Sequence, residues 1–87
     1  MTYRVIFFGT APFAVPLLEA LIHEPRFGVV GVVTQPDRPT GRKATLTAPA
    51  TKLAAVAEGV PVFQFETVKD TEAIQTLREL NPDILMG

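Results

Sequence analysis

Apolar residues fall into two kinds of run along the chain. Four short stretches are almost continuously apolar: Tyr3 to Gly9, Phe27 to Thr34, Pro61 to Phe65 and Ile84 to Met86. Runs of this length and density are what a strand buried on both faces requires. Between them, apolar residues recur at helical spacing. Phe13, Leu17, Leu18, Leu21 and Ile22 share one face of a first helix. Leu53, Val56 and Ala57 line a short second helix, and Ile74, Leu77 and Leu80 a third.

The residues between these runs punctuate them. Gly9-Thr10-Ala11-Pro12 breaks the first strand, and Pro25 marks the end of the first helix. Pro16 fits that helix only within its first turn, where a missing N–H has no intrahelical partner. Pro49 suits the first position of the second helix, with Thr47 or Ala48 near its cap and Gly59 as its stop. Asp70 or Thr71 caps the third helix, and Asn81-Pro82 ends it.

Apolar strands alternating with amphipathic helices imply an α/β fold, a three-layer Rossmann-like parallel sheet with helices on both faces. The expected strand order is 3-2-1-4 with right-handed crossovers, truncated within or after strand 4. Residues 1–87 read as the N-terminal portion of one domain. Ending there leaves the fourth strand as an apolar edge, so the isolated chain is expected to be marginal or to pair that edge with another copy. In such sheets ligands bind beyond the carboxyl ends of the strands, where the strand order reverses. That point lies between strands 1 and 4, which makes Gly9-Thr10-Ala11-Pro12-Phe13 the first candidate site.

Composition narrows the chemistry. No apolar run approaches the roughly 18 residues needed to span a membrane, and the N-terminal run is shorter than a secretory leader's. Cysteine is absent, so there is neither a disulfide nor a thiolate metal site. These features point to a cytoplasmic protein. His23 is the sole histidine and sits at a helix end, so no triad or zinc site can be assembled around it. Glu66, Asp70, Glu72 and Glu79 read as cap, dipole partners and solvated face of the third helix. The turn after the first strand has one glycine where a dinucleotide fingerprint needs three. There, Gly9 and Thr10 either make the tight turn and cap the helix, or offer a weak site for negative charge. Phe13 either opens the core stripe or lines the mouth of the cleft.

The charge distribution is uneven. The segment from Gln35 to Lys52 carries Arg38, Arg42, Lys43 and Lys52 against Asp37 alone, a net +3, while the remainder of the chain carries −4. It contains Pro36, Pro39, Pro49 and Gly41, with no large apolar residue before Leu46. It reads as a stiff basic loop, expected to be partly mobile for want of apolar anchors. Either it is simply solvated, or it contacts an anion.

Two stretches carry a family resemblance. "RVIFFGTAPFAVPLLEAL" (Arg4 to Leu21) and "VVTQPDRPTGR" (Val32 to Arg42) resemble the opening strand and helix, and the second strand and following loop, of the methionyl-tRNA formyltransferase family. "GVPVFQFETVKD" and "LRELNPDILM" continue the likeness in order. The resemblance implies transfer of a formyl group from 10-formyltetrahydrofolate to the amino group of methionine on initiator tRNA. It implies that Gly9, Thr10 and Phe13 lie against substrate and that Arg38, Arg42 and Lys43 contact tRNA. No metal is implied. The family's catalytic Asn-x-His pair and later Asp belong downstream of Gly87, so this chain holds no catalytic residue and alone is expected to be inactive. The donor would likewise be bound mainly beyond Gly87. The family's usual Gly-Lys-Lys-Leu becomes Lys43-Ala44-Thr45-Leu46 here, and its Pro-Ser-Pro-Val-Lys becomes Ala48-Pro49-Ala50-Thr51-Lys52. These departures bear on the loop's phosphate register and on the helix cap. Two alternatives fit the same residues: part of a sugar-nucleotide N-formyltransferase, or a stand-alone RNA-binding module.

Overall fold

The computed structural model describes residues 2–40, 45–66 and 71–87. Its elements in chain order are β1 (Tyr3–Phe8), a single 3₁₀ turn (Pro12–Ala14), α1 (Val15–Ile22), β2 (Phe27–Thr34), β3 (Arg38–Thr40) and β4 (Thr45–Thr47). Then come α2 (Ala50–Ala57), β5 (Val62–Gln64), α3 (Thr71–Glu79) and β6 (Ile84–Met86). The four apolar runs form one parallel sheet in the order β5-β2-β1-β6. This is the expected 3-2-1-4 arrangement of a Rossmann-like fold. The short strands β3 and β4 pair antiparallel as a separate ribbon.

The core forms where β1 and β2 are covered on both sides. Val5, Ile6 and Phe7 of β1 and Val32 and Val33 of β2 are buried. Successive strand residues face opposite ways. Phe7 accordingly clusters with Leu18 and Leu21 of α1 and Ala55 of α2, while Phe8 shares a groove with Ile74 and Leu77 of α3. Close approach on the α3 side depends on Gly31. A Cβ there would lie 3.0 Å from the Phe63 ring and 3.1 Å from Leu80 Cδ1.

Arg4 ties α3 to the sheet. Its guanidinium donates to the carbonyls of Leu80 and Asn81 at 2.6–3.1 Å, where the negative end of the helix dipole favours a cation. The Arg4 amide donates to the Asp83 carboxylate at 2.8 Å, and the Asp83 amide returns a bond to the Arg4 carbonyl. Asn81, with φ 51°, supplies the left-handed turn between. Together these contacts deliver β6 alongside β1. Gly59, with φ 73°, ends α2 as expected.

Four local expectations are corrected. The segment after β2 is not wholly loop, since it contains the β3–β4 ribbon. α2 starts at Ala50, with Pro49 as its N-cap rather than its first residue and no side-chain cap bond. Its inward face is small: Thr51 and Ala55 are buried, while Leu53, Val56 and Ala57 are exposed. Small residues let α2 lie close against α1 and β2, and a leucine at 55 would be too large. In α3 the buried residue is Ala73, while Ile74 is 41% exposed. Asp70, one of the two proposed caps, lies outside the described residues. Pro16 occupies the first turn of α1, as its missing N–H requires.

Leu18 and Phe13 belong to one apolar stripe in the sequence but have opposite environments, 0% and 87% exposed. Leu18→Ala is expected to cost about 2–5 kcal/mol, through lost burial and the cavity left behind. Phe13→Ala is expected to change stability by less than about 0.5 kcal/mol. Urea unfolding of the two variants against the parent chain measures both.

Candidate functional site

β1 leaves the sheet at a turn held from three sides. The Gly9 amide donates to the Val33 carbonyl at 3.1 Å, which carries the ladder one step past the strand end. A Cβ on residue 9 would stand 2.9 Å from the ring of buried Phe7 and 3.2 Å from Ala14 Cβ. Glycine is therefore demanded by contact, since Gly9 has no left-handed φ. The Gly9 carbonyl accepts from Thr51 Oγ1 at 2.7 Å, and Thr51 is fully buried in the first turn of α2.

Thr10 does not cap the helix. The 3₁₀ turn has Ala11 at its N-cap and no side-chain cap bond. Instead Thr10 Oγ1 accepts from the Gln35 amide at 3.0 Å. A hydroxyl accepts through its lone pairs and keeps its own proton to donate. The basic segment thus departs at Gln35 and returns at Thr51, and both points are bonded to two adjacent residues of the β1 turn.

Two hollows flank this turn at the carboxyl end of the sheet. One, of about 310 Å³, lies between the ends of β1, β2 and β5 and is walled by Thr10, Thr34, Gln35, Phe65 and Glu66 among others. The other, of about 460 Å³, is mostly apolar and lies between the start of α1 and the end of β6, lined by Phe7, Phe8, Phe13 and Leu17. Gly9 and Thr10 border both. The core alternative for Phe13 is overturned, because the ring stands exposed at the rim of the apolar hollow. This is the mouth-of-the-cleft placement. It follows from the 3₁₀ turn, which swings residue 13 off the stripe that continues through Leu18 and Leu21.

The basic segment is anchored by polar contacts instead of apolar ones. Asp37 Oδ1 accepts from Gln64 Nε2 at 2.6 Å and from Lys52 Nζ at 3.2 Å. Gln64 also donates to the Gln35 carbonyl at 3.2 Å. Arg38 Nη2 donates to Gln35 Oε1 at 2.7 Å and stands 3.8 Å from Glu66 Oε2. Two of the four cations read as a basic patch, Lys52 and Arg38, are therefore already partnered within the fold. Arg42 and Lys43 lie outside the described residues. Sequence reasoning gave no role to Gln35, Gln64 or Thr51. Asp37 did carry a signal, as the lone acid in a basic stretch.

Among the described residues no group of three or more His, Asp or Glu side chains is placed to hold a metal ion. No helix among the described residues is long and apolar enough to cross a membrane.

No family model matches the chain. Individual relatives do. The chain is 52% identical over 81 residues to the methionyl-tRNA formyltransferase of Chloroflexus aggregans and 53% identical over 81 residues to that of Herpetosiphon aurantiacus. It is 51% identical over 83 residues to the methionyl-tRNA formyltransferase of Bacillus subtilis. The chain resembles the N-terminal part of a methionyl-tRNA formyltransferase. These matches take in 93–95% of the chain but only 26% of each relative, so the chain spans about a quarter of the length of the curated relatives it matches. A match of 81 residues out of 87 leaves six at the ends. The β1 turn and the whole segment from Gln35 to Lys52 therefore fall inside the span shared with the methionyl-tRNA formyltransferases.

The Asp37 carboxyl titrates below the usual aspartate range, chiefly because Gln64 donates to it and next because Lys52 does, with partial burial opposing them. A lowered value means that this anchor is fully present above the ordinary aspartate pKa of about 3.9 and is lost as pH falls through the lowered one. The carboxyl-carbon chemical shift of Asp37, followed by NMR, is expected to show a midpoint below the usual value. Lys52→Met is expected to raise that midpoint only part of the way, since the Gln64 bond remains.

Proposed function

We propose that this chain is the N-terminal part of an enzyme that transfers a formyl group from 10-formyltetrahydrofolate to the amino group of methionine on initiator tRNA. The observation that carries the reading is the shared span itself. The stretch Thr34-Gln35-Pro36-Asp37-Arg38-Pro39-Thr40-Gly41-Arg42 leaves the sheet beside Gly9 and Thr10, at the end of the sheet where ligands of such folds bind. In the reaction the amine nitrogen attacks the formyl carbon. The bond to the folate nitrogen breaks, the amine gives up a proton, and the departing folate nitrogen takes one up. In this reading, groups outside these 87 residues stabilise the oxyanion and take the proton, and they hold most of the folate. The present residues hold the acceptor: Gly9, Thr10 and Phe13 border the methionyl end, and Arg38, Arg42 and Lys43 face tRNA. The protein works in the cytoplasm, and the 87 residues alone are inactive, with the β6 edge free to pair with a second copy.

A stand-alone RNA-binding module is less well supported. Lys52 is already held by Asp37, so the segment offers only Arg38, Arg42 and Lys43 to neutralise phosphates, too few charges for firm binding on their own.

The test is formyl transfer from 10-formyltetrahydrofolate by the protein that carries this chain. Formylation of methionyl-tRNA is expected. Transfer to a nucleotide-linked amino sugar instead, or activity from the 87 residues alone, contradicts the reading. Arg42→Ala is expected to raise KM for methionyl-tRNA about tenfold, the loss of one forked arginine contact, with KM for the folate donor nearly unchanged. An equal rise in both constants counts against the assigned role.

A further inference from the structure

An acid in the middle of a basic segment needs an explanation. Asp37 is the only carboxylate between Gln35 and Lys52. If the segment faces RNA, a carboxylate there repels phosphate, and by charge alone its removal should tighten binding. Its surroundings point the other way. Oδ1 accepts from Gln64 at the end of β5 and from Lys52 in the first turn of α2, and Oδ2 stands 3.3 Å from the same ammonium. The Asp37–Lys52 pair is the most shielded ion pair among the described residues, its side chains 31% and 28% exposed. An exposed pair contributes little to stability. This one instead, together with Gln64, joins the segment's stem to α2 and β5 and closes the base of a segment whose ends lie 15 positions apart. Pro36 and Pro39 flank it with fixed φ, so the backbone on either side of Asp37 has little freedom to absorb a change.

We propose that Asp37 is a positioning residue for the RNA acceptor: by gripping Lys52 and Gln64 together it clamps the stem of the β3–β4 ribbon against α2 and β5, and so sets where the ribbon meets RNA. The inference rests on the proposed function for the identity of the acceptor. Asp37 touches no phosphate in this scheme. It acts through the ribbon, whose first residue, Arg38, is in turn held by Gln35 and faces Glu66.

The test uses Asp37→Ala, Lys52→Met and their combination in the protein that carries this chain, with methionyl-tRNA as acceptor. A clamp predicts that both single variants raise KM for methionyl-tRNA, by about fivefold, with kcat within about twofold, and that the double variant is no worse than either single one, because both remove one interaction. Charge alone predicts opposite signs, a lower KM for Asp37→Ala and a higher one for Lys52→Met. Opposite signs, simple additivity or a matching fall in kcat would overturn the proposal. Asp37→Asn, which keeps an acceptor for Gln64, should fall between wild type and Asp37→Ala and guards against a variant that misfolds. Should the unmutated protein fail to formylate methionyl-tRNA, the functional reading falls while the clamp is still judged by hydrogen exchange. Faster exchange across residues 34–40 in Asp37→Ala supports it, and unchanged exchange refutes it.

Discussion

Two adjacent residues, Gly9 and Thr10, hold the base of everything that leaves the sheet between β2 and α2. The Gly9 carbonyl takes the buried Thr51 hydroxyl, and the Thr10 hydroxyl takes the Gln35 amide. Each bond is of ordinary strength, about 1 kcal/mol net. Their effect comes from placement. They fix the departure and return of the basic segment to the end of β1, which the apolar sheet in turn fixes. A side chain on residue 9 would collide with the buried Phe7 ring, so the turn cannot be rebuilt around a larger residue without disturbing the core.

The polar clamp extends this constraint outward. Asp37, Lys52 and Gln64 join the segment's stem to α2 and β5, just beyond the point where Thr10 holds Gln35. A segment without apolar anchors is thereby set by hydrogen bonds and one shielded ion pair. This suits a surface that must remain wet and charged. It also explains why a net +3 in the sequence overstates the positive charge on offer, since Lys52 and Arg38 are partly used in holding the segment itself.

Strand content and order were legible because all four strands are nearly continuous apolar runs, although only the central pair, β1 and β2, holds fully buried residues while the edge strands β5 and β6 are half-buried or exposed. The candidate site was placed by topology, since sheets of this strand order bind ligands beyond the first turn, and two hollows flank that turn. The helix faces were less legible. Reading them by their largest residues selected Leu53, Val56 and Ile74, whereas close packing selected Thr51, Ala55 and Ala73. Phe13 misled for a related reason, because one 3₁₀ turn takes it off the stripe it begins. The β3–β4 ribbon and the contacts of Gln35, Asp37 and Gln64 were out of reach, since they join residues whose nearness depends on the finished sheet. The resemblance to methionyl-tRNA formyltransferases was carried by the turn and the segment together, the two features the fold bonds to each other.

The claim that the β1 turn governs the basic segment is tested most directly by the amide exchange rate of Gln35 in the chain and in Thr10→Val. Valine keeps the shape of threonine and removes the oxygen that accepts the Gln35 N–H. The account predicts a Gln35 amide protected in the parent chain and markedly faster to exchange in the variant, with the Val33 amide in the core strand unaffected. Equal exchange of Gln35 in the two proteins would contradict it.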